Sequence, residues 1–226
     1  MSLPSIEDIR KKTFAKLGRD PCKWQAEVAR EILKGKSDVV CVAPTGAGKT
    51  LTFWMPLLFR TDGIQIVVTP LNILGVQNQK ELTKDIEDGK YRAIVVNPEE
   101  LMKPGGGFER LWKKPSFTSR LISVVWDEAH CVSIWSAFRT DYKEAYHLRF
   151  LLPNVRFLLA IATLPEEVRK EVMQTLQVRP HQCTIICRSN DHPNVHIQVR
   201  KIVHAQSSFN DLNFLIPTTW KPGVTT

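Results

Sequence analysis

Short apolar runs alternate along the chain with longer segments in which apolar residues recur every three or four positions. The runs predict β-strands at 38–43, 64–69, 92–96, 121–127, 155–162 and 183–187, and an alternating stretch at 195–203 is a seventh strand candidate. The helical spacing predicts helices at 23–35, 49–60, 75–88, 142–152 and 165–177. Strands that alternate with helices are typical of an α/β fold. We therefore expect a mainly parallel sheet flanked by helices on both faces.

The turn after the first predicted strand carries the most specific pattern in the chain. Residues 43–50 read Ala-Pro-Thr-Gly-Ala-Gly-Lys-Thr and follow the apolar run 39–42. This is a relaxed form of the phosphate-binding loop G-x-x-x-x-G-K-[ST], with Ala43 at the first glycine position. Backbone N–H groups of such a loop surround phosphate oxygens. A chance turn before an ordinary helix is the alternative, but a strand before it and a helix after it favour a nucleoside triphosphate site.

The residues of this loop have different expected roles. Lys49 would reach the β- and γ-phosphates, and the hydroxyl of Thr50 would face Mg²⁺. The other loop residues expected to contact the nucleotide are Thr45, Gly46, Ala47 and Gly48.

A second motif, which is acidic, lies at the end of the strand predicted at 121–127. It reads Asp127-Glu128-Ala129-His130. A carboxylate at the end of a buried strand beside a phosphate loop can hold the Mg²⁺ that bridges the phosphates, and we assign this role to Asp127. Glu128 would orient the attacking water or accept its proton. An isolated acidic pair is more often a solvated strand end. The presence of a phosphate loop in the same chain favours the catalytic interpretation.

Composition restricts the class of protein. The chain has 226 residues, 43% apolar and 24% charged, which favours one large globular domain. No stretch reaches the roughly 20 apolar residues of a membrane span, and early charged residues argue against a secretory signal. Five cysteines without metal-ligand spacing indicate reduced thiols, an intracellular protein and no zinc in this segment. The net charge of +8 favours a polyanionic partner.

Taken together and in this order, the motifs resemble those of the first RecA-like domain of superfamily 2 helicases, and several details resemble the RecQ branch. Residues 131–142 are similar to the RecQ aromatic-rich loop, and Gln25 stands where that family has its adenine-reading glutamine. Residues 69–71 and 77–79 resemble motif Ia of the family, and residues 97–100 resemble motif Ib. Ala162-Thr163 resembles the end of motif III, and Pro193-Asn194 the exit from the domain. The similarity spans about 14–200.

The resemblance implies a single RecA-like P-loop domain that uses ATP and Mg²⁺ and acts on single-stranded or forked DNA with 3′-to-5′ polarity. It also implies further site residues. His130 would join Lys49, Asp127 and Glu128 in the catalytic set by linking the nucleotide site to motif III. The residues expected to contact DNA or to couple it to ATP are Thr69, Pro70, Gln79, Trp135, Phe138, Arg139 and Thr163.

Plainer interpretations exist for several of these residues. Gln25 alone could be a surface helix residue, and His130 a satisfied polar group. Trp135 and Phe138 could be core aromatics. Thr163 could cap the following helix, because Thr163-Leu-Pro-Glu is a capping-box pattern.

The chain also departs from the RecQ pattern. Ser136-Ala137 replaces the expected Gly-His-Asp, Ile134 replaces a glutamine, and Ile161 replaces the usual threonine of motif III. Cys22-Lys-Trp-Gln25 replaces Arg-Pro-x-Gln. These differences favour, as an alternative, a non-catalytic module in which nucleotide switches nucleic-acid binding. A DEAD/DEAH-type RNA helicase fragment is a further alternative, against which the aromatic loop argues.

The expected organisation has three parts. Residues 1–20 form a helical lead-in, 21–200 the helicase ATP-binding domain, and 201–226 a tail or the start of a link to a second RecA-like domain, which this sequence does not contain. Since such helicases bind ATP between two domains, the chain is not expected to unwind DNA alone. By resemblance the location would be nuclear in a eukaryote and otherwise cytoplasmic.

Overall fold

The computed structural model describes residues 2–70, 79–135, 144–162, 165–190 and 195–216, with the backbone alone for 79–82, 134–135 and 144. The chain divides into two compact units, Met1–Asn190 and Asp191–Thr226. None of the helices in the described ranges is both long enough and apolar enough to cross a membrane.

The larger unit is built on a six-stranded sheet in which every pairing is parallel. The strands are β1 (Asp38–Val42), β2 (Ile64–Val68), β3 (Ala93–Val96), β4 (Leu121–Asp127), β5 (Arg156–Ile161) and β6 (Cys183–Cys187). Their order across the sheet is β3-β2-β4-β5-β1-β6. The predicted α/β class with its parallel sheet is confirmed.

Helices connect the strands. They are α1 (Ile6–Leu17), α2 (Lys23–Lys34), α3 (Lys49–Trp54), α4 (Gln79–Glu87), α5 (Pro98–Met102), α6 (Gly107–Trp112), α7 (Pro115–Thr118), α8 (Cys131–Trp135), α9 (His147–Leu151) and α10 (Glu166–Thr175). Short 3₁₀ helices occur at Met55–Leu58, Glu144–Tyr146 and Pro180–Gln182. The spacing pattern did not predict α5 to α8.

Two of the sequence predictions are wrong in detail. The helix predicted at 49–60 ends at Trp54 and continues as the 3₁₀ helix Met55–Leu58, because Pro56 has no N–H to donate to an earlier carbonyl. The strand candidate 195–203 has no regular secondary structure, and its side chains are exposed. Alternation of apolar and polar residues describes a strand only where a neighbouring strand satisfies the backbone.

The sheet separates two apolar layers. Alternate residues of a strand point to opposite faces, so Val40 and Val42 lie in one layer while Val39 and Cys41 lie in the other. The second layer includes Trp24 from α2 and Phe53 from α3. Helices on both faces therefore hold β1 in place, and the turn that follows β1 begins from a rigid base.

A buried ion pair joins the first strand to α9. The carboxylate of Asp38 accepts a hydrogen bond from the Arg149 guanidinium at 2.8 Å, and the two side chains are 1% and 5% exposed. Asp38 also accepts the backbone N–H of Phe157 on β5, at 2.9 Å. The Arg149 guanidinium lies 3.7 Å from the ring centroid of Phe157. These contacts fix the amino ends of β1 and β5 relative to each other.

The smaller unit, within its described residues 195–216, has a local polar centre. Asp211 accepts the backbone N–H of His204 at 2.9 Å and lies 3.1 Å from its Nδ1. The hydrogen bonds from His204 hold the pKa of Asp211 below its ordinary value. The guanidinium of Arg200 lies 3.9 Å from the ring centroid of Phe214.

Candidate nucleotide-binding site

The phosphate-loop pattern and the acidic motif meet at the carboxyl edge of the sheet. β5 lies between β1 and β4, and its Ala160 is in register with both Cys41 on β1 and Asp127 on β4. Two strand spacings, about 9–10 Å, therefore separate the backbones of the two motifs. Crevices outside this edge of a parallel sheet are where such folds bind ligands.

The backbone of the loop requires glycine at two positions. Gly46 and Gly48 have φ angles of 82° and 81°, in the left-handed region that favours glycine. A Cβ on Gly48 would also lie 2.7 Å from the side-chain nitrogen of Gln25. The Ala47 N–H donates to the carbonyl of Pro44 at 3.1 Å and closes the turn. The sequence pattern thus corresponds to a tight turn with two left-handed positions, and at Gly48 the contact with Gln25 leaves no space for a side chain.

Lys49 is buried inside its own loop. Its side chain is the first of α3 and is 8% exposed. The Nζ donates to the carbonyl of Ala43 at 2.9 Å and to that of Pro44 at 3.3 Å. The ammonium is thus held by two carbonyls of its own loop. Thr45 and Thr50 are exposed, so both hydroxyls are accessible.

Gln25 is buried against the same loop. Its Nε2 donates to the carbonyls of Ala47 at 3.1 Å and Gly48 at 3.0 Å, and its Oε1 accepts the N–H of Cys22 at 2.8 Å. The amide therefore connects the start of α2 to the phosphate loop. Its predicted contact with adenine stays a prediction, and in this conformation both ends of the amide already have partners within the chain.

Asp127 has an unusual electrostatic environment. Burial raises the pKa of its carboxyl above the ordinary value, and the neighbouring Glu128 carboxylate raises it further. The backbone N–H of Glu128, which donates to Asp127 Oδ1 at 3.1 Å, and the Lys49 ammonium act in the opposite direction. The Lys49 ammonium is thus close enough to this carboxylate to act on its pKa, as expected from their places at the same edge of the sheet. A cation beside Asp127 would relieve the unfavourable charge.

Glu128 sits on a strained turn. Its φ is 48°, a left-handed conformation that costs a non-glycine residue about 1–2 kcal/mol. The turn is held by the Ala129 N–H, which donates to the carbonyl of Ala160 at 3.1 Å. The chain therefore leaves β4 abruptly, and two consecutive carboxylates lie at the same edge of the sheet.

His130 lies beside Glu128. Its Nδ1 is 3.4 Å from Glu128 Oε2, which makes an ion pair when the imidazole is protonated, and its Nε2 is 3.7 Å from the sulfur of Cys131. Within the described residues the buried Nδ1 has no aligned hydrogen-bond partner. The four residues predicted as catalytic, Lys49, Asp127, Glu128 and His130, thus cluster at the carboxyl edge.

The residues at this edge suit ATP·Mg²⁺ chemically. A turn with two left-handed glycines leaves room for phosphate against the backbone, and Lys49 supplies positive charge. Asp127 and the Thr50 hydroxyl are the oxygen ligands that Mg²⁺ prefers. The Asp127 carboxylate, disfavoured by burial and by Glu128, would be stabilised by a divalent cation.

The predicted nucleic-acid residues are only partly described. Thr69 follows β2, is 7% exposed and donates its N–H to the carbonyl of Val96 at 3.0 Å. Pro70 comes next, and Gln79 is the first residue of α4. Trp135 is the last residue of α8. The side chains of Gln79 and Trp135, and Phe138, Arg139 and Thr163 as a whole, lie outside the described residues.

Sequence reasoning missed some contacts of the site. The carbonyls of Ala43 and Pro44 hold Lys49, and Asn97 of the motif Ib stretch caps α5 by accepting the Glu100 N–H at 2.9 Å. Backbone acceptors carry no sequence signal. The cap could have been predicted from the sequence, because asparagine is a favoured N-cap residue and proline is favoured at the first position of a helix.

Comparisons with known proteins agree with this geometry. The family model that describes the DEAD/DEAH box helicase matches residues 22–172. A protein of Acanthamoeba polyphaga mimivirus, named as a candidate ATP-dependent RNA helicase (R290), is 30% identical over an alignment of 214 residues that covers 85% of this chain and 37% of that protein. The bifunctional 3′-5′ exonuclease/ATP-dependent helicase WRN of Mus musculus is 29% identical over an alignment of 217 residues that covers 87% of this chain and 15% of WRN.

A solved structure shares the fold. The DUF1998 helicase MrfA bound to DNA and AMPPNP superimposes with a TM-score of 0.56 at 18% identity, over 84% of this chain and 30% of MrfA. The chain spans well under half the length of these relatives. RecQ-family helicases, WRN among them, match at about 30% identity, which confirms the resemblance drawn from the motifs. Because the DEAD/DEAH box family model matches more than half of this chain, the chain belongs to the DEAD/DEAH box helicase family.

Proposed function

We propose that this chain is the ATP-binding and ATP-hydrolysing motor domain of a RecQ-like 3′-to-5′ DNA helicase. The family implies ATP use. The observation that carries the proposal is that the Lys49 loop and Asp127 meet at one edge of the sheet, with the charge of Lys49 acting on the Asp127 carboxylate. DNA as the substrate and the polarity rest on the RecQ resemblance.

In this proposal, the loop and the acidic motif divide the work of binding. ATP·Mg²⁺ would supply the phosphoanhydride bond and positive charge beside the phosphates. Lys49 would neutralise phosphate charge, and Thr50 with Asp127 would hold the metal ion. Gln25 positions the loop through the carbonyls of Ala47 and Gly48. A pKa of Asp127 above its ordinary value makes metal binding depend on deprotonation of that carboxyl.

Glu128 is the proposed general base. Its carboxylate would orient a water molecule and accept its proton, as the water oxygen bonds to the terminal phosphorus and the phosphoanhydride bond breaks to release ADP. This role requires a carboxylate whose charge is not already neutralised. In this proposal one of the two consecutive carboxylates, Asp127, serves the metal, and the next, Glu128 on its left-handed turn, serves the water. His130, 3.4 Å from Glu128, would relay the state of this carboxylate towards motif III.

Coupling to DNA would follow β5. This strand pairs with both β1 and β4 and leads into Ala162 and Thr163, the motif III residues. Movement at its carboxyl end would therefore reach both halves of the nucleotide site. Trp135, Phe138 and Arg139 would sense single-stranded DNA, since aromatic rings stack on bases without regard to sequence. Thr69, Pro70 and Gln79 would contact the DNA backbone.

Unwinding would require a second RecA-like domain. In related phosphoryl-transfer enzymes an arginine supplied from outside the phosphate-binding domain is worth about 10³–10⁵ in rate. We therefore expect the 226-residue chain to bind ATP·Mg²⁺ but not to separate strands alone. A nuclear location in a eukaryote stays a prediction from the resemblance.

The second candidate is a nucleotide-switched nucleic-acid-binding module without rapid hydrolysis. It is favoured by Ile161, which ends β5 where the family usually has a threonine hydroxyl, and by the Lys49 ammonium being held by the carbonyls of Ala43 and Pro44. An RNA helicase fragment is a third candidate, for which the name of the mimiviral relative is the support.

The discriminating experiment measures ATP hydrolysis by the chain alone and with an added second RecA-like domain of a RecQ helicase. Each mixture is titrated with single-stranded DNA or with RNA of the same sequence, and Lys49→Ala is the control. Stimulation by DNA more than by RNA supports the proposal. Binding of nucleotide without hydrolysis in every mixture identifies the switched module, and stronger stimulation by RNA identifies the RNA helicase.

A further inference from the structure

A cavity lies at the amino edge of the sheet, opposite the edge that carries the phosphate loop. It encloses about 680 Å³. Its walls come from the residues just before β1, the turn before β2, and the segment that precedes α1; they are Ser2, Leu3, Pro4, Leu33, Lys34, Lys36, Phe59, Arg60 and Asp62. The length of β1, five residues or about 16–17 Å at 3.3 Å per residue, separates this edge from the loop. The catalytic residues assigned above take no part in it.

The cavity has defined walls. The Arg30 guanidinium donates to the carbonyl of Pro4 at 3.1 Å and fastens the segment that precedes α1 to α2. The Arg92 guanidinium donates to the carbonyl of Arg60 at 2.7 Å and to that of Gly63 at 3.1 Å, which holds the turn before β2. A volume of this size is within the range of ordinary ligand sites, about 300–1,000 Å³.

The lining combines apolar walls with a positively charged rim. Leu3, Pro4, Leu33 and Phe59 provide the apolar surface. Lys34 pairs with Glu31 at 2.5 Å, and Arg60 lies 3.8 Å from Asp62. Lys36 is exposed and has no ion-pair partner among the residues that the structure describes. The Lys12 ammonium adds to the rim, 4.5 Å from the centroid of the Phe59 ring. Cations thus outnumber carboxylates around the opening.

We propose that this cavity, the rear pocket, binds an acidic peptide segment of a partner protein that inserts a bulky apolar side chain. The apolar walls would take the side chain, and Lys36 with Arg60 would face the flanking carboxylates. Charge complementarity selects this occupant, since the rim has an excess of positive charge.

A nucleic acid fits the rear pocket less well. Nucleic-acid grooves present cations in a track with aromatic rings open for stacking. Here Leu3, Pro4 and Leu33 form most of the apolar wall, and the Phe59 ring already has the Lys12 ammonium over it.

The test is a fluorescence anisotropy titration of the full chain with a short fluorescein-labelled peptide that carries a Leu-Phe pair between Asp and Glu residues. Two peptide controls replace Leu-Phe by Ser-Gly or the acidic residues by their amides. The protein variants are Lys36→Glu and Leu33→Ala, and the matched control is Lys84→Glu. Lys84 is an exposed lysine on α4, and its replacement by glutamate makes the same change of charge as Lys36→Glu. Circular dichroism melts show that each variant is folded.

We expect saturable binding of the Leu-Phe peptide, weaker by tenfold or more in Lys36→Glu and Leu33→Ala and unchanged within twofold in Lys84→Glu. Both control peptides should bind poorly. Lys49→Ala should bind the peptide like the parent chain, so that the result is independent of the proposed ATPase.

Three results would overturn the proposal. They are absence of saturable binding, an equal loss in Lys84→Glu, and displacement of the peptide by a single-stranded oligonucleotide whose own affinity falls in Lys36→Glu. The second would show general attraction to a basic protein, and the third would assign the pocket to nucleic acid.

Discussion

The side-chain amide of Gln25 donates a hydrogen bond to the carbonyl of Gly48 at 3.0 Å, which fastens α2 to the phosphate loop. The same amide accepts the Cys22 N–H through its oxygen. A residue expected to read adenine is therefore also part of the framework of the loop. Changes at this position should alter nucleotide binding through the loop as well as through the base.

Replacing Gln25 by glutamate separates these contacts. The carboxylate keeps an acceptor for Cys22, but it loses the donor and places negative charge against the Ala47 and Gly48 carbonyls. We expect ATP affinity to fall about tenfold or more, about 1.4 kcal/mol, in titration calorimetry. Gln174→Glu on α10 is the matched control and should bind as the parent does. Unchanged affinity in Gln25→Glu would show that the amide does not support the loop.

Asp127→Asn should stabilise the nucleotide-free protein at neutral pH. The folded-state pKa of Asp127 is raised by burial and by Glu128, so its ionised form disfavours folding. The contribution of this carboxyl to the free energy of unfolding is therefore most favourable below its ordinary pKa of 3.8, where it is protonated in both the folded and the unfolded state. That contribution is lost as the pH rises through the folded-state pKa. The variant should melt above the parent at neutral pH, with the difference shrinking as the pH approaches the ordinary value. Mg²⁺-dependent ATP binding should be lost. A lower Tm at neutral pH would contradict this account.

Glu128→Gln should retain ATP binding and stop hydrolysis wherever the parent hydrolyses ATP. The amide preserves size and the left-handed turn, and it removes the basic oxygen that accepts the proton. Single-turnover hydrolysis with radiolabelled ATP measures the effect, and Glu7→Gln on α1 is the control. Hydrolysis at the parent rate in Glu128→Gln would move the general base to another residue.

The Asp38–Arg149 pair should be important for stability although it is remote from the site. Asp38→Asn leaves the buried guanidinium without its counter-charge, and such losses cost about 3–5 kcal/mol in free energy of unfolding. Asp20→Asn removes the partner of Arg10 in an ion pair whose side chains are 62% and 37% exposed, which should cost about 1 kcal/mol or less. Urea denaturation compares the two. Equal effects would show that the buried pair has no special role.

The sequence predicts the strands better than it predicts the connections. β1, β2 and β4 are near-continuous apolar runs that end in recognisable motifs, because a buried parallel strand needs apolar residues on both faces. The order of the strands follows from contacts between distant segments, which no local pattern records. α5 and α7 begin at Pro98 and Pro115 and are too short to show a helical period.

The site divides in the same way. Lys49, Asp127 and Glu128 could be predicted as candidates because sites for phosphate and Mg²⁺ use those residue types after buried strands. The link from Gln25 to the loop joins residues 22 and 23 positions apart through backbone carbonyls, so side-chain identity does not reveal it. Asp38 and Arg149 are 111 positions apart and carry no motif.

The most direct test of the central claim is calorimetric titration of ATP·Mg²⁺ into the parent chain and into Lys49→Ala. Because Lys49 lies within the loop and faces its carbonyls, circular dichroism must first show that the variant is folded, and Thr50→Ala serves as a second, milder variant. The account predicts saturable binding by the parent, a loss of affinity well beyond tenfold in Lys49→Ala, and weaker binding with less Mg²⁺ dependence in Thr50→Ala. Unchanged ATP affinity in a folded Lys49→Ala protein would contradict the assignment of this loop and of the motor domain built on it.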